Sequence, residues 1–260
     1  MLGKLLKYDF RAMWKQFSII WPAALVIALI NRFTLPFNQK HSFAQESELL
    51  AVITITVFIG VMCAMFVVAM VFVLTRFYKG LLGDEGYLMH TLPVKSWQLV
   101  LSKLICAVVV SVVNVAVSFL AMFLMMPINW LELFDMELWK RLVWGLSQQP
   151  EAVLYLGEFF LLCVAALVLM LTMVYLSMAI GHLFHRHRVL MSVAAFFAID
   201  IVGNLVITLV NELGLLRFLD QMMAWSNHTG FWIGIILILI PAAVIFLATS
   251  YILKKHLNLE

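Results

Sequence analysis

Residues 49–75 read LLAVITITVFIGVMCAMFVVAMVFVLT, without one Asp, Glu, Lys or Arg. A helix of about 20 mostly apolar residues crosses the hydrocarbon core of a bilayer, and this run is long enough to do so. Comparable runs fall near 17–35, 98–127, 153–181, 189–211 and 231–253, so six spans are expected. The first is interrupted by Pro22 and by the Asn31-Arg32 pair. No fixed-period repeat and no long Gly, Pro or Ser linker divides the chain. The expected fold class is all-α integral membrane, one transmembrane domain over residues 1–260.

The composition agrees. Of 260 residues, 65% are hydrophobic and 12% charged, and the mean hydropathy is +1.05. A soluble chain is about half apolar and about a quarter charged. Too little polar surface remains to cover a water-soluble domain, which excludes a cytosolic enzyme, a secreted domain and a disordered chain. The formal charge is +3, and the 17 Lys and Arg are scattered, so nucleic acid is not an expected partner. Cys63, Cys106 and Cys163 all lie in apolar runs, where thiols behave as small hydrophobes. The first apolar run starts after a charged segment and is too long for a signal-peptide core, so it reads as a retained span.

Lys and Arg set the orientation. With both ends of the chain inside, the cytoplasmic set is Lys4, Lys7, Arg11, Lys15, Arg76, Lys79, Lys95, Lys103, Arg186, Arg188, Lys254 and Lys255. The outer set is Arg32, Lys40, Lys140, Arg141 and Arg217. Twelve against five favours termini inside. Trp14, Trp21 and Trp97 then flank inner edges, and Trp130, Trp225 and Trp232 outer ones, as rings with one polar atom prefer the headgroup layer.

Residues 1–16 form an amphipathic helix by their spacing. Leu2, Leu5, Leu6, Phe10, Met13 and Phe17 make one stripe, and Lys4, Lys7, Arg11 and Lys15 another. Such a helix lies in the headgroup layer with its cations near anionic lipid. It reads equally as a juxtamembrane anchor or as a connecting helix that touches a cytoplasmic partner.

The stretch 76–103, RFYKGLLGDEGYLMHTLPVKSWQLVLSK, is too polar for lipid and too patterned for a plain linker. Gly80, Gly83 and Gly86 permit tight turns, Asp84-Glu85 precede a short apolar run, and Pro93 ends it. Tyr87, Leu88, Met89 and Leu92 allow one or two helical turns with an apolar face.

That segment, with the opening MLGKLLKYDFRAMWK, resembles the Gram-positive permeases of ABC type-2 exporters. The resemblance covers essentially the whole chain. It implies six spans with an amphipathic leading helix, in a bacterial plasma membrane with cytoplasmic termini. It further implies that Asp84, Glu85, Gly86, Leu88, Leu92 and Pro93 form a coupling helix that docks on an ATP-binding cassette subunit. A second copy of the chain, or a related permease, completes the assembly. No G-x-x-x-x-G-K-[ST] loop occurs, so the chain has no evident site for ATP. It is expected to be no enzyme and to carry no cofactor, with ATP and Mg on the partner subunit. The cargo the resemblance implies is amphipathic: a peptide, drug or lipid.

Polar residues inside spans cost energy and point to protein or water. Asp200, Asn204, Thr208 and Asn211 fall within one side of the fifth span at about 100° per residue. They read as a wall of a translocation route or as polar glue between helices. Ser111, Asn114 and Ser118 form a weaker stripe, expected to be helix packing. Glu158, near the outer end of the fourth span, is expected to be solvated. His182, His185 and His187 in HLFHRHR have irregular spacing in a tight turn and read as a basic loop, with no metal site. Segments 130–147 and 213–231 read as interfacial helices or as parts of an exit gate. The competing function classes are a membrane-embedded enzyme, which would need convergent catalytic groups beyond a lone Asp200, and a membrane sensor subunit.

Overall fold

The computed structural model describes residues 2–34, 48–83, 95–125, 136–184, 186–214 and 227–255, and every regular element among them is helical. In chain order these are α1 (Leu2–Thr34), α2 (Glu48–Phe77), a π-helical turn (Tyr78–Leu82), α3 (Ser96–Met125), α4 (Met136–Gln148), α5 (Pro150–His182), α6 (Arg188–Glu212) and α7 (Asn227–Lys255). Five helices are long and apolar enough to cross a membrane, and α1 makes a sixth if its halves Gly3–Lys15 and Phe17–Phe33, bent by 42°, count as one span. The protein is an all-α, multi-pass membrane protein.

Lipid offers no partner for backbone N–H and C=O groups, so each span must satisfy its own. The side-chain hydroxyls follow the same rule by bonding back one turn. Thr56 donates to Val52 O at 2.8 Å, Ser118 to Asn114 O at 2.8 Å, Ser177 to Val174 O at 2.7 Å and Thr249 to Ile245 O at 2.9 Å. Pro22 lies inside α1, which continues through it although proline removes one helix bond. Pro150, by contrast, opens α5 at a position where its missing N–H costs nothing.

The helices group into two compact units. The first holds Thr75–Val108 and Gln149–Glu260 together with Met1–Leu5. Here α5 packs on α6, on α7 and on the π-helical turn. The turn from α5 to α6 is tight: His187, just before Arg188, adopts φ 60°, a left-handed conformation uncommon for a residue with a Cβ. Gly214 (φ 73°) follows the other end of α6 and donates to Asn211 O at 2.9 Å, closing the helix as a left-handed glycine commonly does.

The second unit holds Leu6–Leu74 and Val109–Gln148. Its core is Ala28, Phe58 and Ala121, with Leu25, Ile27, Met62, Leu124 and Met125 packed against it. Phe17 is buried between Trp21 (centroids 5.2 Å apart) and Phe72 (5.4 Å, edge-on). Two polar contacts join α1 to α3: Trp21 Nε1 donates to Asn114 Oδ1 at 3.2 Å, and Arg32 Nη1 to Leu124 O at 3.3 Å. Asn31 and Arg32, which interrupt the apolar pattern, are therefore buried packing residues. Asn114 and Ser118 are buried as well, as expected of a packing stripe.

Residues 130–135 lie outside the described residues, but 136–147 belong to α4. Trp139, Val143 and Leu146 are exposed on it, and Lys140 pairs with Glu137 at 3.5 Å. Of the segment 213–231, residues 215–226 lie outside the described residues.

Candidate functional site

Asp84, Glu85, Gly86, Leu88, Leu92 and Pro93 lie outside the described residues, which stop at Gly83 and resume at Lys95. The structure describes instead the joint from which that loop hangs. At its centre Phe77, the last residue of α2, stacks on Tyr175 of α5 with ring centroids 3.9 Å apart and planes 8° from parallel. Both rings are buried. Tyr175 Oη also reaches Lys103 O of α3 at 3.5 Å, a long contact at the weak end of hydrogen bonding. One side chain of α5 thus touches the helices on both sides of the loop.

The chain leaves Phe77 through the π-helical turn, closed by Gly83 N donating to Tyr78 O at 2.8 Å. Such turns are rare and recur where a helix is interrupted for function. Gly80, one of the glycines expected to permit tight turns, lies inside this one. A Cβ there would come within 3.3 Å of Lys103 Cε, so its small size admits the buried Lys103 side chain. Gly83 is extended (φ −94°, ψ −166°), and its want of a side chain is also steric: a Cβ would lie 3.2 Å from Lys79 Cα.

His182 closes α5 beside the same turn, its ring 6.0 Å from that of Tyr78. Its Nε2 lies 3.4 Å from Arg188 Nη1. Arginine has no acceptor, so in this contact the guanidinium donates and His182 Nε2 accepts. His187 occupies the left-handed corner described above, and His185 lies outside the described residues.

The stripe on α6 forms an intrahelical ladder. Asn204 Nδ2 donates to Asp200 O at 2.9 Å and to Asp200 Oδ2 at 3.3 Å, and Thr208 Oγ1 donates to Asn204 O at 2.9 Å. Asn211 continues the same side, and all four residues are exposed. None of the residues of α6 is buried within the chain. The stripe therefore faces whatever surrounds the chain there, and Asp200 presents it with a carboxylate.

Glu158 differs from its expectation. It is buried, at 9% exposure, and bonded to α7: Oε2 accepts from His228 Nδ1 at 2.8 Å and Oε1 from Trp232 Nε1 at 3.1 Å. Tyr155, nearly one turn earlier on α5, stacks on His228 with centroids 4.2 Å apart and planes 3° from parallel. The partners lie 70 and 74 residues away in sequence, so no local pattern announces them. The one available signal is a carboxylate eight residues into an apolar helix, with His228 and Trp232 one turn apart at the start of another.

The described residues hold three features: an aromatic joint where α2 ends before residues 84–94, an exposed polar ladder on α6, and a buried carboxylate between α5 and α7. No family model, curated protein or solved structure matches the chain.

Proposed function

We propose that the protein is the transmembrane subunit of an ATP-driven ABC exporter, which moves an amphipathic peptide, drug or lipid out of a bacterial cell. Two such subunits, identical or related, pair around a route and sit on two ATP-hydrolysing subunits. The observation that carries the reading is the loop 84–93, with its permease-like residues, rooted in the Phe77–Tyr175 joint. A loop gripped by a moving partner does work only if its base is fixed to the helices it must move. Here the base meets α5 through Tyr175 and α3 through Lys103 O. The distribution of Lys and Arg supports this orientation, since it puts the loop and both chain ends on the cytoplasmic side.

In this mechanism ATP, with Mg, closes the partner subunits, and residues Asp84 to Pro93 pass that closure to the spans. The helices then expose a cavity to alternate sides. Asp200, Asn204, Thr208 and Asn211 form a wall of the route, because a carboxylate facing the acyl chains would be costly. The chain itself performs no chemistry on the cargo.

The test is reconstitution with a cognate ATP-binding cassette subunit. The chain alone should hydrolyse no ATP, whereas the complex should, with stimulation by cargo. Gly86→Val and Glu85→Lys should still insert and yet weaken docking of the ATP subunit. ATPase activity from the isolated chain, or normal transport by both variants, would overturn the reading.

A further inference from the structure

We infer that Glu158 is a clasp that holds the first two turns of α7 against α5 and releases them only when water enters between the helices. Its purpose, control of the outer opening, rests on the export reading; its existence does not.

The contact between α5 and α7 includes apolar groups as well. Gly234 faces Leu162, with a Cβ at 234 falling 3.5 Å from Leu162 Cδ1. Ile235 and Ala242 on α7 are buried. In lipid such contacts hold the helices by close packing alone, with no hydrophobic driving force between them. Glu158 is different. Parting the helices into lipid would strip its carboxylate of both donors and leave the His228 and Trp232 N–H groups unsatisfied, which is costly in hydrocarbon. Parting them into water costs far less, because water replaces each hydrogen bond. The clasp therefore permits one way of opening, toward a hydrated space.

The geometry suits a contact made and broken as a unit. His228 and Trp232 are four residues apart on one helix face, so a single movement of α7 releases both oxygens. Tyr155 stacks flat on the His228 ring and Phe231 lies 6.1 Å from Tyr155, which fixes the imidazole for re-engagement. By the Lys and Arg distribution the end of both helices that carries the clasp is the outer one.

The experiment uses the full chain with Cys63, Cys106 and Cys163 replaced by Ala and Leu162→Cys added as a reporter one turn below the clasp. A membrane-impermeant thiol reagent is applied from outside. Glu158→Gln and His228→Asn should each speed labelling at 162 by at least about tenfold, the low end of the factor expected when a charged hydrogen bond is lost. In the reconstituted complex, Leu162→Cys with Gly234→Cys, bridged by a short reducible bis-thiol reagent, should lose transport, keep the partner's ATP hydrolysis, and recover on reduction. Unchanged labelling in both single variants, or full transport by the bridged protein, would overturn the clasp. If the unmodified complex moves no cargo at all, the export reading falls, and the labelling rates still decide the clasp.

Discussion

Gly181 of α5 sits directly against the backbone of Ser192 of α6: a Cβ added at 181 would lie 2.6 Å from Ser192 N and 2.7 Å from Ser192 Cα. Small residues at helix crossings let backbones approach, and in a membrane that approach is a main source of association. Because the obstacle is backbone, no rotamer change relieves it. Gly181→Ala should therefore destabilise the α5–α6 pair by about 1–3 kcal/mol, the usual cost of overpacking. Thermal unfolding in detergent checks this, and Ser192→Gly should fail to rescue it because N and Cα remain in place. A Gly181→Ala protein with unchanged melting would mean that the helices cross less closely.

A second prediction concerns the polar tie between α1 and α3. Asn114 is buried and accepts the Trp21 indole N–H at 3.2 Å. Interhelical hydrogen bonds within membranes contribute about 0.6 kcal/mol on average and up to about 1.7. Asn114→Leu should lower stability by an amount in that range, since the indole N–H is left without its acceptor. Trp21→Phe removes the donor, so the double variant should cost less than the two single costs added. Strict additivity in denaturation measurements would show that the pair is not coupled.

These two contacts also mark where sequence reasoning reaches and where it stops. The apolar runs, the change of character near Gln16 and the packing role of Asn114 and Ser118 were legible because each depends on residues close in the chain. Glu158 was not. A carboxylate near a span end is ordinarily solvated, and only the distant His228 and Trp232 make it a buried group. Gly80 lies in a turn, as its local reading has it, but the neighbour that needs its small size, the Lys103 side chain, comes from another helix. Tyr175 lies in an apolar run with no local mark to single it out, and its stacking on Phe77 is a long-range fact. On α6 the shared side of Asp200, Asn204 and Thr208 follows from helical spacing alone, but spacing does not say what meets that side.

The third prediction separates coupling from folding at the joint. A stacked aromatic pair contributes about 0.5–1.5 kcal/mol beyond its buried area. Tyr175→Leu removes the stack on Phe77 while keeping an apolar side chain, so transport per ATP hydrolysed should fall roughly two- to tenfold. Tyr175→Phe keeps the ring and gives up only the long contact with Lys103 O; its coupling should stay near that of the unmodified protein. The measurement is cargo movement and ATP hydrolysis on the same reconstituted complex, which distinguishes an uncoupled protein from a misassembled one. Proportional loss of both activities in Tyr175→Leu would assign the stack to stability alone.

The last prediction decides what the α6 ladder faces. If Asp200 lines a hydrated route, Asp200→Asn should leave the complex assembled, because the amide preserves size and can still accept from Asn204 Nδ2. Transport should fall, or its pH dependence change, because the ionisable group is gone. A cysteine at 204 or 208 should react with a water-soluble thiol reagent in at least one nucleotide state. If the ladder is instead glue between helices of neighbouring subunits, Asp200→Leu should mainly disrupt assembly and Asp200→Asn should transport normally. Thr208→Val adds a control, since its hydroxyl is bonded within the helix to Asn204 O and its removal should matter little in either case. Full transport by Asp200→Asn together with unreactive cysteines at both positions would remove this face from the route.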